Sequence, residues 1–298
     1  RGGMGEVWRA RHRMLVRPAA IKLIRPEALG GDGSHKAKTI FRRFEREAQA
    51  TAALRSTHTI TLYDFGITDD GVFYYVMELL KGLTLETLVE RFGPIPPNRT
   101  VFLLQQVCHS LSDAHQQGFL HRDIKPANIY VSRLGPDFDF VKVLDFGLVK
   151  SHQEHEAGAT QLTVQGVTTG TPGYMAPEVA LGEEEIDARV DLYALGCVGY
   201  WLLTGQLVFQ AKSPMEMVVH HVQTPPVPPS QHSEFLIPPS LDEIILSCLE
   251  KDREKRPPNA QTLSSQLASC LSEELWSQDL AEKWWRTHRP DLVSPDYS

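Results

Sequence analysis

The sequence predicts an α+β protein with two lobes, a small strand-rich lobe followed by a larger, mainly helical one. Three observations predict this: β-like runs in the first 80 residues, a change to helical periodicity near residue 84, and a globular composition. The chain has 298 residues, which suits one large domain or two modest ones at roughly 150 residues each. Hydrophobic residues make up 42% and charged residues 22%, so disordered and fibrous classes are excluded.

The strand-rich lobe, residues 1–80, is indicated by short apolar runs between turn-forming residues. These runs are Glu6–Ala10, Ala19–Ile24, Ile60–Phe65 and Val72–Leu79. Residues 39–54 have helical composition and supply the one helix expected in this lobe.

The helical lobe, residues 81–273, shows apolar residues at helical spacing. One helix, which Gly118 can end, carries the stripe Val101, Leu104, Cys108 and Leu111. A serine followed three residues later by a glutamate predicts helix starts at Ser213 and Ser240. Residues 192–203 are strongly apolar but far shorter than the roughly 20 residues of a bilayer span, so they predict a buried helix and no membrane span.

The charge balance and the cysteines exclude other classes. Lys+Arg 30 against Asp+Glu 37 gives a net charge of −7, which argues against nucleic acid as a partner. The four scattered cysteines predict neither a disulfide scaffold nor a zinc site, and indicate buried residues in a reducing compartment.

Five motifs follow one another in a fixed order: the glycine cluster of residues 1–7, Ala20-Ile21-Lys22, the run His121–Asn128, Asp145-Phe146-Gly147, and Ala176-Pro177-Glu178. Together they resemble the protein kinases, over about residues 1–260. Lys125-Pro126 and residues 170–174 resemble the Ser/Thr branch, in particular the bacterial eukaryotic-like (Hanks-type) kinases. The resemblance implies a bilobal protein-kinase-like fold.

The resemblance also implies the catalytic roles and the cofactors, ATP and Mg²⁺. Asp123 would accept or orient the substrate hydroxyl proton, and Lys125 would neutralise the transferred γ-phosphate. Asn128 and Asp145 carry oxygen ligands of the kind that magnesium prefers. Thr171 would support Asp123 and Lys125.

Lys22 resembles the strand lysine that binds the α- and β-phosphates. Its expected partner is the helix residue Glu47. Glu45 is the alternative, although two residues apart on a helix it would face another side.

The glycines Gly2, Gly3 and Gly5 resemble the end of the phosphate-covering loop, where backbone N–H groups approach phosphate oxygens. The first glycine of the pattern would fall immediately before Arg1. We therefore expect the chain to be part of a longer protein.

The adenine pocket is expected at the junction of the lobes. Its lining would be Val7, Ala20, Met77 and Leu144, the backbone of Glu78 and Leu80, and Tyr130. Tyr130 stands where the family usually has a smaller aliphatic residue, so its ring either narrows the pocket or offers a stacking surface.

Arg122 precedes Asp123 as in kinases that are activated by phosphorylation of the activation loop. Thr163 is the first candidate, followed by Thr160, Thr168 and Thr169. The resemblance further implies a buried ion pair between Glu178 and Arg256, and a role for Asp191 in anchoring the catalytic loop.

Residues 274–298 lie beyond the resemblance. Their three tryptophans predict packing on the helical lobe, with a surface for a partner as the alternative.

These observations predict a cytoplasmic bacterial Ser/Thr protein kinase that acts on protein substrates, with dimerisation for trans-autophosphorylation. A pseudokinase or scaffold, or a fragment inactive because its first strand is missing, remains the alternative. A small-molecule phosphotransferase is disfavoured by residues 170–178, which resemble a platform for a peptide, and tyrosine specificity is disfavoured by Lys125.

Overall fold

The computed structural model describes residues 6–14, 16–24, 45, 48–146, 172–270 and 275–293. These residues form a small lobe with an antiparallel sheet and a larger, mainly helical lobe. The fold class predicted from the sequence is therefore confirmed.

The small lobe is built on a four-stranded antiparallel sheet in which β2 and β4 are central. Its strands are β1 (Glu6–Arg11), β2 (Pro18–Ile24), β3 (Leu62–Ile67) and β4 (Phe73–Glu78). Ile24 packs with Ala48 of the helical residues 48–53 and with Phe73 and Tyr75 of β4. This small core fixes the strand that carries Lys22.

A second antiparallel sheet, in the order β5-β6-β7, begins the helical lobe. Its strands are β5 (Gly82–Thr84), β6 (Ile129–Leu134) and β7 (Asp137–Val143). Gly82 is required where β5 approaches β6, because a Cβ atom at this position would lie 2.0 Å from the carbonyl oxygen of Val131. Asn128 directly precedes β6 and Asp145 follows β7 by two residues, so both lie at the open end of the β6–β7 hairpin.

The helices of the large lobe surround a helix that is buried on nearly every side. They are α1 (Leu85–Phe92), α2 (Pro97–Gln116), α3 (Pro177–Leu181), α4 (Arg189–Thr204), α5 (Pro214–Gln223), α6 (Pro239–Cys248), α7 (Ala260–Ser269), α8 (Gln278–His288) and α9 (Pro290–Val293). The buried helix is α4, which confirms the interpretation of residues 192–203. In the part of the chain that the structure describes, no helix combines the length and apolarity needed to cross a bilayer.

The predicted stripe on α2 is confirmed, since its four apolar residues are all buried, and so is the burial of the four cysteines as free thiols. The helix start at Ser213 is confirmed as well, because its hydroxyl accepts a hydrogen bond from the backbone N of Glu216 at 3.2 Å. The start at Ser240 is wrong. Helix α6 begins at Pro239, where the missing N–H costs no helical hydrogen bond, and the Ser240 hydroxyl donates to the carbonyl oxygen of Cys270 at 2.9 Å.

Candidate active site

The loop between α2 and β6 brings together three polar residues of the His121–Asn128 motif. The Nζ atom of Lys125 lies 2.8 Å from Oδ2 of Asp123. The side-chain amide of Asn128 donates to the same carboxylate oxygen and to the carbonyl oxygen of Asp123, both at 2.9 Å. Oδ2 of Asp123 is thus bound by both a cation and an amide donor.

Asp191, in the first turn of α4, anchors the backbone of this loop. Its carboxylate accepts hydrogen bonds from the backbone N–H groups of His121 and Arg122, each at 2.8 Å, and from Nε2 of His115 at 2.8 Å. Burial acts to raise the pKa of the Asp191 carboxyl, but the hydrogen bond from His115 and the neighbouring imidazoles outweigh it, so the pKa lies below its usual range. The anchoring role predicted for Asp191 is confirmed.

His121 connects the two aspartate motifs. Its Nε2 lies 2.8 Å from the carbonyl oxygen of Leu144, so Nε2 is the protonated nitrogen, and Nδ1 accepts from the backbone N of Asp123 at 3.2 Å. Burial lowers the pKa of His121, although Asp191 and the Leu144 carbonyl act in the opposite direction. A neutral imidazole therefore ties the backbone of Asp123 to the residue before Asp145.

Two residues of this region have left-handed backbone conformations. The φ angle is 60° at Arg122 and 57° at Asp145. Such conformations cost a non-glycine residue about 1–3 kcal/mol and persist only where surrounding contacts impose them. Here Asp191 binds the backbone N–H of Arg122, and His121 binds the carbonyl oxygen of Leu144, the residue before Asp145.

Lys22 of the small lobe forms an ion pair with Asp145 of the large lobe. Its Nζ atom lies 2.6 Å from Oδ2 of Asp145, and the two side chains are 12% and 34% exposed. Lys22 lies on β2 in the small lobe, whereas Asp145 follows β7 in the large lobe. The structure therefore brings together five of the predicted residues: Lys22, Asp123, Lys125, Asn128 and Asp145.

The residues predicted to bind adenine lie where the two lobes meet. Ala20 on β2 is paired with Met77 on β4, and the backbone N–H of Glu78 donates to the carbonyl oxygen of Thr61 at 3.1 Å. Leu80 lies between β4 and β5, Leu144 follows β7, and Val7 on β1 is paired with Lys22 but is 61% exposed.

Tyr130 faces the segment that links the lobes. It is the cross-strand partner of Lys142, so the two side chains share one face of the hairpin. The Nζ atom of Lys142 lies 2.7 Å from Oε1 of Glu78, the last residue of β4, where that linking segment begins. Burial raises the pKa of the Tyr130 phenol, an effect opposed by the backbone of Gly82 and the charge of Arg289.

Other predicted site residues lie outside the described residues. They are Gly2, Gly3, Gly5, Glu47, Thr160, Thr163, Thr168, Thr169 and Thr171. Glu45 is helical, as the prediction for residues 39–54 requires.

The sequence interpretation missed two polar contacts that support the site. These are the His115–Asp191 hydrogen bond and the Lys142–Glu78 ion pair, which joins β7 to the linking segment. Neither pair has a spacing that could predict it, since 76 residues separate His115 from Asp191. The predicted pair of Glu178 and Arg256 is confirmed, with two hydrogen bonds of 2.6 and 2.7 Å.

The family pattern described as "Protein kinase domain" matches residues 1–268. The chain belongs to the protein kinase family. This kinase domain is 38% identical, over 273 residues, to the serine/threonine-protein kinase pkn3 of Myxococcus xanthus, covering 91% of the chain and 48% of that protein. It is also 38% identical, over 276 residues, to the serine/threonine-protein kinase PknB of Mycobacterium tuberculosis, covering 92% of the chain and 42% of that protein.

The chain thus spans less than half the length of these two curated relatives. The PknI kinase domain of Mycobacterium tuberculosis shares the fold, with a TM-score of 0.66, 24% identity, and coverage of 91% of this chain and 92% of that one. The kinase domain is therefore similar to the Ser/Thr-protein kinases of bacteria, and the resemblance predicted from the sequence is confirmed.

Proposed function

We propose that this domain catalyses the Mg-ATP-dependent transfer of the γ-phosphate to Ser or Thr hydroxyls of protein substrates. The observation that supports this best is the cluster of Asp123, Lys125 and Asn128 with the Lys22–Asp145 ion pair nearby. Phosphoryl transfer depends mostly on positioning and on cations that meet the developing charge, and this cluster supplies both.

Asp123 is suited to receive the proton of the substrate hydroxyl. Its carboxylate is 17% exposed, so a hydroxyl can reach it, while the amide of Asn128 and the ammonium of Lys125 fix its orientation. A positioned proton acceptor typically contributes about 10²–10⁴-fold to the rate. Lys125 then serves a second role as the cation beside the transferred phosphoryl group.

The oxygens of Asn128 and Asp145 fit a magnesium ion that ATP brings with it. Asn128 uses its amide N–H₂ on Asp123, which leaves its amide oxygen as a ligand. The described residues contain no group of three or more His, Cys, Asp or Glu side chains able to hold a metal. This suits magnesium, which in such enzymes takes one or two protein oxygens and shares the phosphates. The ion would neutralise phosphate charge there.

Adenine would lie between the small-lobe residues Val7 and Ala20 and the large-lobe residues Tyr130 and Leu144, with Met77 at the back. The backbone of Glu78 and Leu80 would read its edge. Because the Glu78 N–H is already bonded to Thr61, its carbonyl oxygen is the group we assign to adenine. The ion pair of Glu78 with Lys142 would keep this carbonyl in place.

The proposed substrate class is protein, and the proposed site of action is the cytoplasm, where ATP is available and the buried cysteines stay reduced. Dimerisation for trans-autophosphorylation stays a prediction.

The deciding experiment is the intact mass of the chain before and after incubation with Mg-ATP, together with transfer to a protein substrate. The Asp123→Asn variant should lose about 10²–10⁴-fold in turnover and keep its nucleotide affinity. Asp69→Asn, the same change at an exposed turn residue, should behave as wild type. Full turnover in Asp123→Asn would remove this residue from the mechanism. A wild-type chain that binds Mg-ATP but transfers no phosphate would favour the pseudokinase.

A further inference from the structure

Asp139, on β7, is a fully buried carboxylate far from the catalytic loop. Each of its oxygens accepts two hydrogen bonds. Oδ1 accepts from Nη2 of Arg99 and Nε1 of Trp285, both at 2.7 Å. Oδ2 accepts from Nε of Arg99 at 2.9 Å and Nε1 of Trp276 at 2.8 Å. A buried charge is tolerated only when its hydrogen-bonding capacity is met in this way.

The four donors come from two separate parts of the chain. Arg99 lies in the first turn of α2 and is 2% exposed. Trp276 and Trp285 belong to residues 275–293, which follow the part matched by the family pattern. The guanidinium of Arg99 also lies over the ring of Trp284, 4.0 Å from its centroid.

Residues 275–293 hold the turn end of the β6–β7 hairpin at further points. The backbone N–H of Phe138 donates to Oε1 of Gln278 at 2.7 Å, and Nε2 of Gln278 donates back to the Phe138 carbonyl at 3.2 Å. On the other strand, Nη1 of Arg133 donates to the carbonyl oxygen of Val293 at 2.8 Å. Both strands are therefore held by the same segment.

The same segment reaches the helix that follows the link between the lobes. The ring of Trp284 packs edge-on against Phe92 at the end of α1, with 5.1 Å between centroids, and His288 lies 5.4 Å from Phe92. Residues 275–293 thus connect α1, α2 and the hairpin.

The backbone at Asp139 is strained. Its φ angle is 52°, and among the described residues with side chains only Val16, Arg122 and Asp145 share a positive φ. Two of those three, Arg122 and Asp145, belong to the two aspartate motifs of the candidate site. A strained residue that persists in a core indicates that the surrounding contacts impose its conformation.

We propose that residues 275–293 form a brace that is part of the catalytic unit, and that Asp139, Trp276 and Trp285 act as positioning residues for Asn128 and Asp145. The brace contacts the turn end of the β6–β7 hairpin, and Asn128 and Asp145 lie at the opposite, open end of the same hairpin. Asp145 lies six residues beyond Asp139, about 20 Å along an extended strand. The part of this proposal that concerns magnesium binding by Asn128 and Asp145 rests on the proposed function.

The test compares Trp276→Phe with wild type in the full chain. The half-buried Trp276 contributes one hydrogen bond to Asp139, so its loss should leave the fold intact and loosen the hairpin. We expect faster amide hydrogen exchange in residues 129–143, and an apparent KM for Mg²⁺, at saturating ATP, about fivefold higher with a smaller change in kcat. Trp285→Phe should show larger effects. If the Trp285→Phe variant does not fold, the result for Trp276→Phe decides the test.

Arg286→Ala is the control, because Arg286 lies on the exposed side of α8 and pairs with Glu282 of the same helix. Its exchange and its KM for Mg²⁺ should equal those of wild type. Faster exchange confined to residues 275–293, or a lower kcat with unchanged KM for Mg²⁺, would overturn the proposal and make the segment a passive cover. If wild type transfers no phosphate, the proposed function fails, whereas hairpin exchange and the Mg²⁺ dependence of ATP binding by calorimetry still test the brace.

Discussion

The Nζ atom of Lys22 and Oδ2 of Asp145 lie 2.6 Å apart, although 123 residues separate them in the chain. Since one belongs to the small lobe and the other to the large lobe, this ion pair crosses the cleft between them. It places a cation and a carboxylate in the cleft where we propose that the phosphates and the magnesium ion of ATP bind.

Lys22→Met should therefore lower kcat by about 10²–10³-fold, the usual effect of removing one preorganised charge from a transition state. The buried part of the side chain keeps its shape, so the melting temperature should change little. Lys283→Met, at an exposed position on α8, is the matched control. An unchanged kcat in Lys22→Met, measured by phosphate transfer to a protein substrate, would exclude the proposed role.

Phosphorylation of the activation segment is the second prediction. Arg122 directly precedes Asp123, the proposed proton acceptor, and a phosphothreonine gains charge-assisted hydrogen bonds from such an arginine. Thr163→Ala should lower the rate or lengthen the lag before full activity, and peptide mapping after incubation with Mg-ATP should find phosphate on Thr163. Thr160→Ala and Thr168→Ala should have smaller effects. Phosphate found on Thr160 or Thr168 instead would transfer the role to that residue.

The sequence predicted the two lobes and the polar residues of the catalytic loop because these features are determined by short stretches of consecutive residues. Strand runs, helical periodicity and short motifs are all readable within a few residues. The buried helix α4 could be recognised from its composition alone. The predicted start of α6 failed because two successive prolines begin that helix before Ser240 can cap it.

The contacts that support the site could not be predicted in the same way. His115 and Asp191 are 76 residues apart, and Asp139 and Trp285 are 146 residues apart. In the sequence Asp139 lies between Phe138 and Phe140, and in such an alternation an exposed position is the ordinary interpretation. Only the fold shows that it is buried and that Trp276 and Trp285 are among its hydrogen-bond donors.

The third prediction concerns the buried ion pair of Glu178 and Arg256. The Glu178 and Arg256 side chains are 4% and 0% exposed, and removing one partner leaves a buried charge uncompensated. Glu178→Gln should lower the free energy of unfolding by about 3–5 kcal/mol. Glu254→Gln is the matched control: Glu254 also pairs with an arginine, Arg189, but is 69% exposed, so its loss should change the stability far less than the loss of Glu178. Equal losses in urea unfolding of the two variants would contradict the argument.

The fourth prediction is a pH dependence of stability that arises from His221. This imidazole on α5 is fully buried, and its Nδ1 lies 2.8 Å from the hydroxyl of Tyr193. Burial, with the charge of Lys251 as a further cause, lowers the pKa of His221 from 6.5 to about 4.

Between these two pKa values the unfolded chain binds a proton at His221 that the folded chain does not. Stability therefore rises with pH in this range, and it is lost as the pH falls from 6.5 through 4. Wild type should lose about 2 kcal/mol more than His221→Asn between pH 7 and pH 5 in urea unfolding. Asparagine keeps a hydrogen-bonding group near the Tyr193 hydroxyl but does not titrate.

The pKa values of His58 and His121 are also lowered, mainly by burial. Because these two residues titrate in both proteins, the difference in pH dependence reports His221 alone. Equal pH dependence in the two proteins would show that the buried imidazole is protonated as readily in the fold as in the unfolded chain.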